Sequence, residues 1–73
     1  MMYVAHPGKQ LKDSWCGVCG KKHRSPATAA RCVGKERADS STWCVSALST
    51  NRQGKVTGAE FVAYVSDLLS STR

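Results

Sequence analysis

The sequence predicts a small α+β domain: a β-hairpin and a helix, followed by a C-terminal helical hairpin. Three observations lead to this prediction. The chain has only 73 residues, and a domain of that size buries only about 60% of its unfolded surface. Domains this small usually need a metal, a disulfide or a partner chain to fold. Cys16, Cys19 and Cys32 fall in one stretch that can supply such a link, and apolar residues recur at helical spacing in residues 58–71.

The N-terminal arm is assigned to residues 1–10. Residues 3–5 favour a short strand, and Pro7 with Gly8 favours a turn that ends it. Residues 11–24 are predicted to form a β-hairpin that carries the first cysteine pair at its tip.

A helix is predicted to complete a unit over residues 11–38. Ser25 can cap the free backbone amides of this helix. Pro26 suits the first helical position because no amide is needed there. Gly34 is the predicted stop.

The remaining residues, 39–73, are predicted to form a helical hairpin that packs on this unit. A short helix over residues 42–49 precedes a polar turn. Thr57 and Glu60 have the spacing of a capping box at the start of the last helix. No repeat or linker divides the chain, so the three segments are interpreted as one domain.

The cysteine spacing indicates a metal site. Cys16 and Cys19 are two residues apart and flanked by glycines, and Cys32 follows on the predicted helix. This spacing is typical of structural zinc sites, where thiolates and imidazoles surround the ion tetrahedrally. Zn²⁺ is therefore the predicted cofactor. Two disulfides or plain core cysteines are the alternatives. The lack of a signal-like segment disfavours the disulfides and predicts a cytoplasmic location.

Two residues compete for the fourth ligand position. His23 is preferred because it keeps the whole site in one local unit. Cys44 would give a four-cysteine site, but buried free cysteines are common in protein cores. The predicted metal ligands are Cys16, Cys19, His23 and Cys32, with Cys44 as the alternative fourth ligand.

The segment from residue 15 to 36 resembles the opening half of a two-Cys, two-His zinc finger. The shared features are the cysteine pair, the Gly-Lys that follows it, and the twelve residues between Cys19 and Cys32. Glu36 stands where a finger carries its last histidine, and a site completed by His23 is close to a CCHC-type variant. Short chains of this build resemble accessory regulators of bacteriophages and mobile elements.

The charge favours a polyanionic partner. Eleven basic residues face five acidic ones, for a net charge of +6, which favours nucleic acid. If the finger resemblance extends to docking, it implies a helix in the major groove with Ser25, Thr28 and Arg31 at the base-contacting positions. The predicted nucleic-acid-binding residues are Lys21, Lys22, Arg24, Thr28, Arg31 and Lys35.

A second resemblance concerns residues 49–61, which look like a degenerate EF-hand calcium loop. Asn51, Gly54 and Glu60 fit that pattern, but Ser49 stands where it needs aspartate, and only one carboxylate remains. A capped turn between two helices explains the same residues without calcium.

The preferred function is a non-enzymatic zinc-binding module that binds nucleic acid, DNA in preference, in a regulatory role. The alternative is a module that binds or inhibits a protein partner, for which an apolar patch with Trp43 or Tyr64 would be the sign. Otherwise Trp15 and Trp43 are interpreted as packing residues. The sequence has no identifiable nucleophile–base pair that would predict an enzyme, and it has no apolar run long enough to predict a membrane span.

Overall fold

The computed structural model describes residues 2–8, 15–40 and 42–71, which form a three-stranded antiparallel sheet and three helices. The strand order is β1-β2-β3, and the α+β class predicted from the sequence is confirmed. In chain order the elements are β1 (Met2–Pro7), α1 (Pro26–Val33), α2 (Lys35–Ser40), β2 (Trp43–Thr50), β3 (Val56–Tyr64) and α3 (Val65–Ser71).

The predicted N-terminal strand is confirmed as β1. It pairs with β2 from Met2 opposite Leu48 to Pro7 opposite Trp43. It ends where expected, because Pro7 cannot donate a ladder hydrogen bond and Gly8 adopts a positive φ of 72°. β1 is therefore part of the sheet, and its position decides where the cysteine-bearing segment can attach.

Strands β1 and β2 are buried on both faces of the sheet. Because neighbouring residues of a strand point to opposite faces, the two faces hold different sets of side chains. On one face, Ala5 and Val45 pack against α1 and against Val65 of α3. The opposite face buries Val4, His6, Cys44, Ser46 and Leu48, and there His6 Nε2 lies 2.8 Å from Ser46 Oγ.

Helix α1 begins and ends at the predicted residues. The Ser25 side chain accepts a hydrogen bond from the Thr28 amide at 3.2 Å, and Pro26 occupies the first turn. Gly34 ends the helix with a φ of 81°, and its amide donates to the Ala30 carbonyl. A positive φ is favourable mainly for glycine, so local sequence sets both ends of this helix.

Replacing the helix cap should destabilise the protein measurably. Ser25→Ala removes the acceptor for the Thr28 amide, and we expect a loss of about 1 kcal/mol of unfolding free energy. Denaturant unfolding of the metal-loaded protein measures the loss. Ser25→Asn keeps a side-chain acceptor at the cap and is the matched control. Equal stability of the alanine variant and the wild type would show that α1 does not depend on this cap.

The predicted C-terminal helical hairpin is wrong: residues 43–50 and 56–64 form a β-hairpin, and the last helix begins only at Val65. Thr57 and Glu60 are not a capping box, because both lie in β3. The Thr57 hydroxyl donates instead to the Ser49 carbonyl across the hairpin at 3.2 Å. β2 is buried on both faces, so it lacks the polar–apolar alternation that identifies a half-buried strand.

The resemblance of residues 49–61 to a calcium loop does not extend to the fold, because strands and not helices flank the turn; the preferred prediction of a capped turn between two helices is wrong for the same reason. The Asn51 carboxamide oxygen accepts hydrogen bonds from the amides of Gln53 at 2.9 Å and Lys55 at 3.0 Å. Gly54 takes a φ of 80°. This arrangement is an Asx-type turn, for which asparagine and glycine are the favoured residues.

The hairpin predicted over residues 11–24 differs from the observed structure. Residues 11–14 lie outside the described residues, and residues 15–24 form a turn closed by the Cys16 amide on the Lys21 carbonyl, with further backbone hydrogen bonds to β1. Tyr3 and His23 exchange two backbone hydrogen bonds of 2.8 Å, and the Gly17 amide donates to the Ala5 carbonyl at 2.8 Å. The segment is thereby held along the outer edge of β1.

Candidate metal centre and the surface around it

A tight turn brings the first two sulfurs together. The Gly20 amide donates to the Cys16 carbonyl at 2.9 Å, and the Cys16 amide donates to the Lys21 carbonyl at 3.3 Å. Gly20 adopts a φ of 71°, which favours glycine at this position. We call residues 16–20 the knuckle. Its second cysteine is exposed, whereas Cys16 is buried.

The other two candidate ligands come from different elements. His23 is positioned by its backbone pairing with Tyr3 on β1. Cys32 lies in the last turn of α1, which is anchored through the buried side chains of Ala29, Ala30 and Val33. The site therefore joins the knuckle, the edge of β1 and helix α1.

The four candidate ligand atoms lie close enough together to share one metal ion. Those of Cys16, Cys19, His23 and Cys32 all lie within 4.8 Å of one another. The Cys16 and Cys32 sulfurs are 3.7 Å apart, and the Cys19 sulfur is 3.3 Å from His23 Nε2. A tetrahedral zinc ion with ordinary bond lengths would place two sulfurs about 3.8 Å apart, and a sulfur and a nitrogen about 3.6 Å apart. The four residues could therefore hold a metal ion.

The sulfurs are not joined to each other. All four cysteines of the chain are free, and 3.7 Å between the Cys16 and Cys32 sulfurs is far longer than a disulfide bond of about 2 Å. The two-disulfide alternative therefore has no support in this arrangement.

The cluster holds its negative charge unevenly. Burial by itself would raise the pKa of Cys16, but hydrogen bonds from the Cys19 and Val18 amides and from His23 outweigh it and lower this pKa to about 6. Burial raises the pKa of Cys32 to about 12, and its neighbours Cys19 and Cys16 add to the increase. Metal ligands bind as thiolates, so binding at neutral pH must release the Cys32 proton.

Cys44 is not part of this cluster. It is fully buried in β2, opposite His6 on one side and Tyr64 on the other. Its neighbour Val45 packs in the same cluster as Cys16, so Cys44 points to the opposite face of the sheet. The structure thus brings His23, and not Cys44, to the other three cysteines.

Almost all of the net charge lies in residues 15–37, which we call the basic segment. It has six basic residues and one acidic residue, a net charge of +5 against +6 for the whole chain. Residues 38–73 have three of each and are neutral overall. Within the basic segment Lys21, Arg24, Thr28 and Arg31 are exposed and Lys22 is half-buried, while Lys35 begins α2. Arg37, which the sequence analysis did not select, is exposed as well.

The hydroxyls expected at base-contacting positions are already engaged. Ser25 Oγ and Thr28 Oγ1 are 2.8 Å apart and hydrogen-bonded to each other, while Ser25 also caps α1. Arg31 Nε makes a long hydrogen bond of 3.5 Å to the Ala27 carbonyl of its own helix. Of the three positions that the finger resemblance implies, only Arg31 takes no part in the cap of α1.

Trp15 is a surface residue, so its interpretation as a packing residue is wrong. The residue is 51% exposed, and Lys22 Nζ lies over its ring, 4.8 Å from the ring centroid. Trp43, in contrast, is half-buried and packs against the core cluster. The sequence contains one difference that could have predicted which tryptophan is exposed: Trp15 adjoins the glycine-rich knuckle, whereas Trp43 begins an apolar run.

No protein-family model, curated protein or solved structure matches the chain. The resemblance of residues 15–36 to zinc fingers therefore rests on the ligand residues and their geometry. No helix in the described part of the chain is long and apolar enough to cross a membrane.

Proposed function

We propose that the protein is a non-enzymatic zinc-binding module that binds nucleic acid. The observation that carries the proposal is the cluster of three sulfurs and one imidazole nitrogen, all within 4.8 Å of one another. Thiolate-rich sites select soft or borderline ions such as Zn²⁺ over Mg²⁺ or Ca²⁺. Four protein ligands also fill the coordination sphere, as in structural sites, whereas catalytic zinc keeps an open position.

Nucleic acid is the partner class that the charge distribution supports. The net charge of +5 in the basic segment drops to about +4 when three thiolates bind one divalent ion. Lysine and arginine that approach phosphates release counterions from nucleic acid, which favours binding whatever the sequence. The resemblance of residues 15–36 to zinc fingers makes DNA the favoured form and a regulatory role the expected one.

Two measurements test the two halves of the proposal. Protein purified under reducing conditions is expected to contain one equivalent of zinc. The zinc-loaded protein is expected to bind mixed DNA and RNA pools, more weakly as salt increases. If the protein shows no salt-dependent binding to any pool at low ionic strength, the proposal of nucleic-acid binding is wrong, whereas the proposal of zinc binding is unaffected.

Neutralising one exposed arginine tests the basic segment directly. Arg24→Ala should weaken binding to all sequences and reduce the slope of log K against log salt by about 0.7 to 0.9. Arg52→Ala is the matched control, because it removes the same charge from the exposed β2–β3 turn. Fluorescence anisotropy titrations at several salt concentrations measure both slopes. If both variants change the affinity and the salt slope equally, binding depends on the net charge of the whole protein and not on the basic segment.

A protein partner is the second candidate function, and β3 carries the observation that favours it. Phe61 is 49% exposed and Val62 is 39% exposed. Phe61 contacts the half-buried Tyr64 edge to face, with ring centroids 5.2 Å apart. Exposed apolar groups of this kind are typical of binding surfaces. If the protein does not bind nucleic acid, binding to a protein partner becomes the preferred function.

A further inference from the structure

Trp15 and Lys22 form an exposed pair at the base of the knuckle. Trp15 is 51% exposed, and the Lys22 ammonium lies over one face of its ring, 4.8 Å from the ring centroid. The hydrogen bond from the Cys16 amide to the Lys21 carbonyl joins the residues next to them, so the two side chains are held together by the backbone. The pair thus has a fixed place beside the candidate metal centre.

The chemistry of this pair matches one kind of ligand group. Trp15 is about half exposed, so part of its indole is accessible to a stacking base, and the ammonium over the ring offers a charge for a phosphate. A nucleotide of a single strand presents both partners, because its base is not enclosed in a duplex stack. In a duplex the base faces are covered by neighbouring base pairs, so the indole would have nothing to stack on.

We infer that Trp15 is a stacking platform for single-stranded nucleic acid, with Lys22 binding the adjoining phosphate. The inference rests on the proposed function and specifies its ligand. Helix α1 is a poorer reader of base edges, because the Ser25 and Thr28 hydroxyls are bonded to each other. The basic side chains of Lys21 and Arg24, in the same stretch as Lys22, would contact phosphates along the strand.

The net charge of the surrounding sequence distinguishes Trp15 from Phe61, the other large exposed aromatic residue. Phe61 is exposed to nearly the same extent, 49%, but it lies in residues 38–73, where basic and acidic residues are equal in number. Nucleic acid would be attracted to the basic segment and not to β3. Phe61 is therefore the matched control for Trp15.

The test uses the full chain loaded with zinc and two labelled probes: an oligothymidylate of about 12 nucleotides, within the usual site sizes of single-strand binders, and a duplex of equal length. Trp15→Ala should weaken binding of the single strand roughly 5- to 150-fold, the range for loss of one stacked base. Trp15→Phe should retain most of the affinity. Binding of the duplex should change by less than about twofold, since no charge is lost.

Control variants separate stacking from charge and from folding. Phe61→Ala should leave single-strand binding unchanged, and Lys22→Ala should lower the salt slope by about 0.7. Zinc content and thermal unfolding show whether each variant is folded. If Trp15→Ala fails to fold, Trp15→Leu replaces it, because leucine keeps apolar bulk without a π-face. The decrease in single-strand affinity of Trp15→Leu relative to Trp15→Phe then measures the contribution of stacking.

Three outcomes would overturn the inference, and they can be told apart. If wild type binds the single strand and the Trp15 variants bind it equally well, stacking on Trp15 is wrong and the proposed function stands. Tighter binding of the duplex than of the single strand, unaffected by Trp15, would favour the groove-binding interpretation. If neither probe binds, the inference and the nucleic-acid half of the proposed function both fail.

Discussion

Removal of zinc under reducing conditions is expected to unfold the knuckle and helix α1 and to free β1 along its outer edge. The core offers little to replace the ion. Its largest fully buried side chains are Leu48, Val4, Val45, Val65 and Cys44, and α1 contributes only two alanines and one valine. Structural zinc contributes roughly 10–16 kcal/mol of binding free energy in small fingers, whereas a whole domain is stable by about 5–15 kcal/mol.

Far-UV circular dichroism and hydrogen exchange measure this effect. A zinc chelator with a thiol reductant should remove helical signal and abolish protection of the Gly17, Gly20 and His23 amides, which bond within the knuckle or to β1. The same chelator saturated with zinc is the control. Full retention of structure in the metal-free, reduced protein would show that the four side chains meet for another reason.

The second large effect is expected from His23→Ala. The variant leaves three thiolates and an incomplete tetrahedron, so zinc affinity should fall by more than the 10- to 100-fold typical of losing an outer-shell partner. Cys44→Ala should keep the wild-type affinity and lose only packing, roughly 0.5–3 kcal/mol of unfolding free energy. Competition with a chromogenic chelator measures affinity, and denaturant unfolding of the zinc-loaded protein measures stability.

The chain provides a matched histidine for this experiment. His6 is the only other histidine, and it is buried on the opposite face of the sheet beside Ser46. His6→Ala should therefore destabilise the fold without changing zinc stoichiometry. If Cys44→Ala releases zinc while His23→Ala retains it, the four-cysteine alternative is correct.

The features that the sequence predicted well depend on short-range geometry. The turn that carries the cysteine pair is marked by its own residues, and the ends of helix α1 are marked by Ser25, Pro26 and Gly34. Strand β1 was likewise bounded by Pro7 and Gly8. In each of these cases neighbouring residues fix the backbone, so no knowledge of the tertiary structure was necessary.

The β-hairpin was missed because its register breaks the two-residue period. Phe61 pairs with Ser46 and Ala63 pairs with Val45, so Val62 is an additional residue without a partner on β2. Such a bulge shifts the phase of a strand, and the apolar residues Phe61, Val62 and Val65 then fall at helical spacing. The exposure of Trp15 was equally hidden, since it depends on where the segment meets β1.

The two outer edges of the sheet are protected in different ways. On β3, the irregular positions at Thr57 and Val62 interrupt the ladder, a common means of discouraging edge-to-edge pairing between molecules. The edge of β1 is instead covered by residues 17–23, whose position depends on the candidate metal centre. We expect an apo chain to expose the unpaired edge of β1 to neighbouring molecules, so metal supply would affect solubility as well as folding.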